Sequence, residues 1–554
     1  MVKLKWVSAL EKVFADEEPK DYPDVALTGF QNEVHSLQAA WCVTDDASEQ
    51  NDPRQRVRLT LDSAVPARVR RVTNVPVRFP CFPVHVGGYL RTTPGLYPDL
   101  LEDVTTTTHL RAYVNIWSAV WIDLEPTDST KPGQYPLSLR MEDLDGNVLA
   151  EQTFSVEILP GALPPQEIIQ ARWLHADCLA QYYHVPVFSD EHFAILERFI
   201  AHAVRRGVNM MLVPAHTPPL DTAVGGERLT TQLVGVARES GRYVFDFALL
   251  ARYVDICKRA GVTYYEIAHL FTQWGAYHAP KIVATVDGKP QRIFGWDTDA
   301  TGNSYKAFLD VYLPALTAEL RRLGIAGRTY FHISDEPSKA HIDQYLAAKA
   351  LVTPHLKGFK IIDALSDVAF YESGAVPLPI PASNHMDAFL KADIPERWTY
   401  YCVGQHWQVS NTFIAMPAAR TRIIGAQMYR FGITGFLQWA YNFYNSQYSE
   451  GAVNPFLITD ADGFAPAGDA FQVYPGEGGV PLDSLRLMLF HHALQDNRAL
   501  LWAEALAGRE RVLAELEQGL DTPLSFTEYP MDEVYLLSLR ERVNRLIAER
   551  TKPS

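Results

Sequence analysis

Eight short apolar runs, spaced by polar loops and helical patterns, recur between residues 172 and 439, and this alternation limits the fold more than anything else in the chain. The runs are 172–175, 207–213, 262–268, 330–333, 359–363, 376–380, 398–403 and 432–439. They are rich in β-branched and aromatic residues, as strands are. Helical patterns fill 190–206, 246–259 and 304–323; the second opens on Asp246 and stops at Gly261. Pro314 should kink the third. Strand followed by helix, repeated eight times, predicts a (β/α)8 TIM barrel. Pro377 and Pro379 make the sixth run the poorest strand. A helix over 484–506 is expected to close the ring, and an amphipathic helix over 532–549 ends the chain.

The residues before 162 have a different texture. Runs at 57–61, 137–141 and 153–159 are strand-like, and Asp145-Gly146-Asn147 is a hairpin turn between two of them. Short strands with regular turn signals predict an antiparallel β-sandwich. The segment 91–101 reads as a Pro/Gly-rich loop long enough to reach the next domain. With 554 residues the chain exceeds one ordinary core. The expected domains are a sandwich over 1–162, a barrel over 166–520 and a helical extension over 521–554. A net charge of −15 argues against nucleic acid or an anionic membrane as the main partner. No apolar run is long enough to span a bilayer. Nothing at the N-terminus reads as a signal peptide, and the five cysteines lack CxxC spacing. They read as reduced core residues of a cytoplasmic protein.

The fourth run leads to the chemistry. Tyr330-Phe331-His332-Ile333 is followed by Ser334-Asp335-Glu336-Pro337, so a strand ends on two adjacent acids. In a barrel, the C-terminal strand ends carry catalysis. Two carboxylates suit glycosidic bond cleavage, where one acid protonates the leaving oxygen and the other stays anionic beside a cationic transition state. Asp335 as an anion would help keep Glu336 protonated. Neighbouring strand residues face opposite ways, so both acids reach one ligand only where the strand is ending. Pro337 biases Glu336 towards extended backbone.

The other strand ends carry rings and sparse polar groups. The candidate sugar contacts are His216, His269, Trp274, Tyr371, Trp439 and Asn442. Rings stack on sugar C–H faces while hydroxyls need hydrogen bonds. Asp363 closes the fifth strand, and His406 and Trp407 follow the seventh. Insertions at 217–243 and 281–297, the second with an Asp287-Gly288 hairpin turn, are placed to wall off a short blind site. A blind site favours removal of one terminal sugar. His216, His269, His332 and Asp335 lack metal-site spacing, so neither metal nor other cofactor is expected.

A family resemblance adds to this reading. The run Ile267-Ala268-His269-Leu270-Phe271-Thr272-Gln273-Trp274-Gly275-Ala276 resembles glycoside hydrolase family 123 and its uncharacterised-domain relatives. So do Ala279-Pro280-Lys281-Ile282, Phe294-Gly295-Trp296-Asp297, the Ser334–Pro337 strand end, Gln438-Trp439-Ala440-Tyr441-Asn442, and the helix carrying Ser484, Arg486 and Gln495-Asp496. The resemblance implies a retaining β-N-acetylgalactosaminidase whose substrate has a terminal N-acetylgalactosamine. The substrate's own 2-acetamido oxygen would attack the anomeric carbon and form an oxazolinium. Asp335 would orient and stabilise the acetamido group, and Glu336 would be general acid and then base.

One feature of the sequence bears on this independently. A double-displacement barrel glycosidase needs a nucleophilic Glu near the end of strand seven. Here that stretch is Tyr400-Tyr401-Cys402-Val403-Gly404-Gln405-His406, with no acid. The alternatives are a β-N-acetylhexosaminidase with gluco preference, another barrel glycosidase, or a non-catalytic sugar-binding protein. Homo-oligomer formation is left open by the sequence.

Overall fold

The structure is a computed structural model that describes residues 2–44, 55–85, 87–104, 110–127 and 129–551. The chain forms two compact units. One comprises 1–167, 408–431 and 482–554; the other comprises 168–407 and 432–481.

The first unit contains two five-stranded, largely antiparallel sheets. Val2–Ser8, His35–Val43, Ser118–Leu124, Ala67–Val77 and Gly95–Asp103 make one; Leu27–Gly29, Val148–Ile158, Gly133–Glu142, Gln55–Ser63 and Leu110–Ala112 make the other. Alternate residues of both, among them Leu37, Trp41, Ile122, Leu139 and Val156, form one apolar core. The turn at Asp145-Gly146-Asn147 joins Gly133–Glu142 to Val148–Ile158, with Gly146 at φ 88°. The segment read as a loop over 91–101 is a loop only at its start. From Gly95 it is a strand paired with Ala67–Val77, and Tyr97, Leu100 and Leu101 are buried there despite Pro98.

The C-terminal helices cluster with this first unit: Leu485–Ala507, expected to close the barrel ring, and Glu533–Thr551, expected as a separate extension, both fall within it. The physical reason is ionic as well as apolar. On Leu485–Ala507, Arg486 makes two 2.9 Å bonds to Asp99, both fully buried. Asp496 of the same helix accepts from Arg422 and Arg540, and Arg540 also holds Glu33. Breaking one partner of such a buried group strands the others without compensation.

The second unit holds eight parallel strands: β1 Ile169–Arg172, β2 Met210–Val213, β3 Tyr264–Ile267, β4 Thr329–His332, β5 Lys360–Leu365, β6 Leu378–Pro381, β7 Trp398–Tyr400 and β8 Gly435–Gln438. Their order is β6-β5-β4-β3-β2-β1-β8-β7. A single parallel bridge, Ala382 to Tyr400, joins the two ends, so the barrel is nearly closed. The prolines of β6 are tolerated because its one continuous ladder is with β5.

Seven strands fall on or largely within their expected runs, but β1 lies three residues early, ending at Arg172 where the first run was expected to begin. Asn303–Arg322 contains Pro314 as expected. Ala248–Ala260 ends on Gly261 in the left-handed region. The helices after β5 and β6 are reduced to Ala369–Glu372 and Met386–Leu390. The Asp287-Gly288 turn joins Ile282–Val286 to Lys289–Phe294, with φ of 50° and 76°. These strands and a second hairpin, Gly235–Glu239 with Arg242–Asp246, form a separate four-stranded sheet.

Candidate active site

A cavity of about 600 Å³, counting its open mouth, lies at the C-terminal ends of the barrel strands. Asp335 and Glu336 line it, just past β4. Glu336 is not extended: its φ is 44°, a left-handed conformation that bulky residues rarely adopt. The twist is held by its N–H, which donates to Ala364 O at 3.1 Å, and by Tyr400, whose hydroxyl donates to Glu336 Oε1 at 2.5 Å. This backbone reversal, rather than an extended strand end, lets two successive side chains meet one space. Asp335 is anchored as well, since its carbonyl accepts from Trp274 N–H at 2.8 Å.

Burial holds the Asp335 carboxyl well above its usual range, and the negative charges of Glu336, Asp363, Glu266 and Asp221 add to the rise in that order. The cause is depth: β5 and β3 set further carboxyls behind it.

Those deeper groups form a buried layer. Asp363 does not close β5 but lies inside it, accepting from Ser334 N–H at 3.1 Å and from the Tyr345 hydroxyl. Burial pushes its carboxyl to about 8. Glu266 of β3 accepts from Trp173 Nε1 at 2.9 Å and is likewise pushed to about 8 by burial. His332 Nε2 lies 3.4 Å from the same oxygen, and burial lowers His332 to about 3. Glu266, His269 and His332 place ligand atoms within 4.8 Å of one another, a donor set a cation could use. However, the His332 and His269 ring nitrogens are in direct hydrogen-bond contact.

A neutral Glu266 has a consequence for stability. Folding raises its pKa from 4.5 to about 8, so the folded chain holds a proton that the unfolded chain releases. The contribution is complete below pH 4.5 and is lost as pH rises to about 8. Relative to Glu266→Gln, the wild type should lose roughly 1.4 kcal/mol per pH unit across that window. Urea unfolding of both proteins at about pH 5 and about pH 8 measures the gap; an unchanged gap would show that Glu266 is ionised in the fold.

The candidate sugar contacts divide into two groups. Trp274 and Trp439 line the cavity. Trp274 is 38% exposed and sits edge-on to Tyr448. Trp439 is held by a 3.0 Å bond from Nε1 to Asp469. The other four side chains are not brought to the cavity. His216 Nε2 is bonded to His269 O at 2.8 Å, and His269 is fully buried in the layer below. Asn442 spans His175, accepting its N–H at 2.9 Å and donating to its carbonyl at 3.0 Å, which ties the chain after β8 to the chain after β1. The Tyr371 hydroxyl donates to Asp393 O. Polar residues at strand ends thus serve to join neighbouring ends as often as to face a ligand.

Trp173, Leu220, Asp221, Gln273, Tyr400 and Cys402 also line the cavity and were not singled out as sugar contacts. The first insertion supplies Leu220 and Asp221; the second supplies no lining residue. Asp221 is pushed up to about 6 by burial, against the pull of Arg228. Cys402 is a correction to the reading of all five cysteines as core residues: four are buried, but Cys402 faces this cavity, its thiol raised by burial and then by Glu336. Tyr400 had a signal in the sequence, since it stands on the strand whose missing acid was already noted.

The family profile "Glycoside hydrolase 123, catalytic domain" matches residues 173–503, more than half of the chain. The chain belongs to glycoside hydrolase family 123. It is therefore a glycosidase, with a carbohydrate substrate. Its fold is similar to that of a family 123 glycoside hydrolase from Clostridium perfringens, solved to detail glycolipid glycan hydrolysis. That similarity has a TM-score of 0.75 at 14% identity and covers 99% of this chain and 98% of the other. A Parabacteroides merdae β-glucuronidase matches at TM-score 0.28 and 8% identity, over 91% of this chain and 52% of its own. A Rhizomucor miehei family 5 mannosidase matches at TM-score 0.33 and 10% identity, over 60% and 94%. Neither of these carries an argument. A search of curated protein sequences returned no match. Among the described residues, no helix of this family 123 chain is long and apolar enough to cross a membrane.

Proposed function

We propose that this glycosidase is an exo-acting, retaining β-N-acetylgalactosaminidase working by substrate-assisted catalysis. The reading takes the nearly closed barrel as a (β/α)8 barrel, and the buried thiols Cys42, Cys81, Cys178 and Cys257 favour a cytoplasmic setting. The observation that carries it is the end of β7. There the cavity is lined by Tyr400, Cys402 and Val403, with no carboxylate where a double-displacement enzyme holds its nucleophile. The acids on β4 are adjacent and turned to one space, as an acid and an acetamido partner need to be.

In the first step the acetamido oxygen forms a bond to C1 as the C1–O bond to the aglycone breaks. Glu336 gives its proton to the departing oxygen. Tyr400 occupies Glu336 Oε1, which leaves Oε2 for that transfer. The oxazolinium N–H is positively charged and lies against Asp335. An anion there is costly in the empty site because of burial and the carboxyls behind it. The cost falls as the cation develops, so the interaction is strongest where catalysis needs it. In the second step water attacks C1, Glu336 takes its proton, and the ring opens to the free sugar with retained configuration. Trp274 and Trp439 supply faces for the sugar's C–H surface.

The test is turnover of 4-nitrophenyl N-acetyl-β-galactosaminide against the corresponding glucosaminide. The galacto compound should be cleaved with at least about ten-fold higher kcat/KM, a margin that one repositioned hydroxyl can supply. A reversed ratio would make this a gluco-preferring hexosaminidase. Saturable binding of both without turnover would make it a sugar-binding protein.

A further inference from the structure

A third carboxylate in the cavity has no part in the mechanism above. Asp221 comes from the insertion after β2 and is locked from two other loops. Its N–H donates to Gln273 Oε1 at 2.7 Å, its carbonyl accepts from Ser449 Oγ at 2.7 Å, and its Oδ2 accepts from Tyr448 N–H at 3.0 Å. Gln273 follows β3, and Tyr448 and Ser449 follow β8. The backbone is left-handed at three of these four residues: φ is 38° at Asp221, 58° at Tyr448 and 57° at Ser449. Left-handed non-glycine residues persist only where surrounding bonds enforce them, and they concentrate where a side chain must be aimed. Trp274, which also lines the cavity, is at φ 59°.

The carboxylate so held has no cationic partner among the described residues. Arg228, whose charge acts on it, is committed to Asp177 through 2.7 and 2.8 Å bonds and to Leu220 O. Oδ2 is used by Tyr448, so Oδ1 is left for a ligand. An ionised carboxylate only accepts hydrogen bonds. A half-buried acceptor in an aromatic-lined cavity therefore calls for hydroxyl donors.

The geometry points to Asp221 as a specificity-determining residue that accepts hydrogen bonds from the sugar's C3, C4 or C6 hydroxyls, on the edge away from the reacting carbon. This rests on the acetamido mechanism, which assigns the C1 oxygen to Glu336 and the C2 substituent to Asp335. Asp221 is brought in by the loop after β2, whereas Asp335 and Glu336 follow β4. Only the far edge of the ring remains for it.

The experiment measures kcat/KM of wild type and Asp221→Asn on 4-nitrophenyl N-acetyl-β-galactosaminide and its 3-, 4- and 6-deoxy analogues. In Asp221→Asn the amide oxygen can keep the Tyr448 bond while an NH2 replaces the acceptor in the cavity. Wild type should lose about 10²-fold on at least one deoxy analogue, because the missing hydroxyl leaves a buried acceptor unpaired. In the Asn variant the same analogue should fall within about 3-fold of the parent compound. Equal loss on all four substrates would overturn the proposal; with azide rescue, that pattern would make Asp221 a reacting group. If the Asn variant does not fold, wild type alone decides, since cleavage of all three analogues within about 3-fold of the parent overturns it. Wild type inactive on the parent compound would instead remove the galactosaminidase reading, and this proposal with it.

Discussion

Glu336→Gln is expected to lower kcat/KM by about 10³-fold on a glycoside whose leaving group is an ordinary sugar hydroxyl, and by far less on a 4-nitrophenyl glycoside. The variant keeps the shape and the acceptor for the Tyr400 hydroxyl, so the left-handed backbone at Glu336 should persist. What it removes is the proton. A sugar alkoxide cannot leave without one, whereas nitrophenolate is stable enough to leave alone. For the activated substrate the slow step then moves to hydrolysis of the oxazolinium, where Glu336 is missed as base, and a burst of nitrophenolate should precede a slow steady state. Similar losses on both substrates, without a burst, would show that Glu336 does not transfer the proton.

Asp335→Asn is expected to cost about 10²–10³-fold on every acetamido glycoside, whatever the leaving group. Its partner is the charge on the acetamido nitrogen, which develops in both steps. The pH profile gives a second readout. Burial and four neighbouring carboxyls hold Asp335 above its usual range. Protonation on the acid side removes the anion that stabilises the oxazolinium, so wild-type kcat/KM should fall with an inflection above the ordinary carboxylate range. The neutral Asn variant should lack that acid limb. The two acids touch electrostatically, so the inflection belongs to the pair. Turnover near wild type in Asp335→Asn would remove Asp335 from the mechanism.

The barrel was legible because its evidence is local. Apolar runs with β-branched and aromatic residues mark strands wherever they fall, and even the proline-bearing β6 is found where its run predicted. The C-terminal helices were not legible in the same way. Their partners, Asp99 and Glu33, are nearly four hundred residues away or more, and no local pattern connects Arg486 or Arg540 to them. The site shows the same division. Asp335-Glu336-Pro337 can be read as a strand end with two acids, but the left-handed φ of Glu336 depends on Ala364 and Tyr400, contributed by β5 and β7. His216, His269 and Asn442 lie outside the cavity lining. Each has the composition of a sugar contact, and each is used to bond one strand end to another. Asp221 was hidden because an insertion gives no hint of which of its acids turns inward.

The most direct test of the account compares wild-type kcat/KM on two aryl β-galactosides that differ only at C2, one with the acetamido group and one with a plain hydroxyl. If the attacking oxygen belongs to the substrate, the hydroxyl compound lacks the nucleophile and should be cleaved at least about 10³-fold less well, a deficit within what an intramolecular nucleophile supplies. Cleavage of both at similar rates would mean that the nucleophile is supplied by the protein or by water, and the account would be wrong.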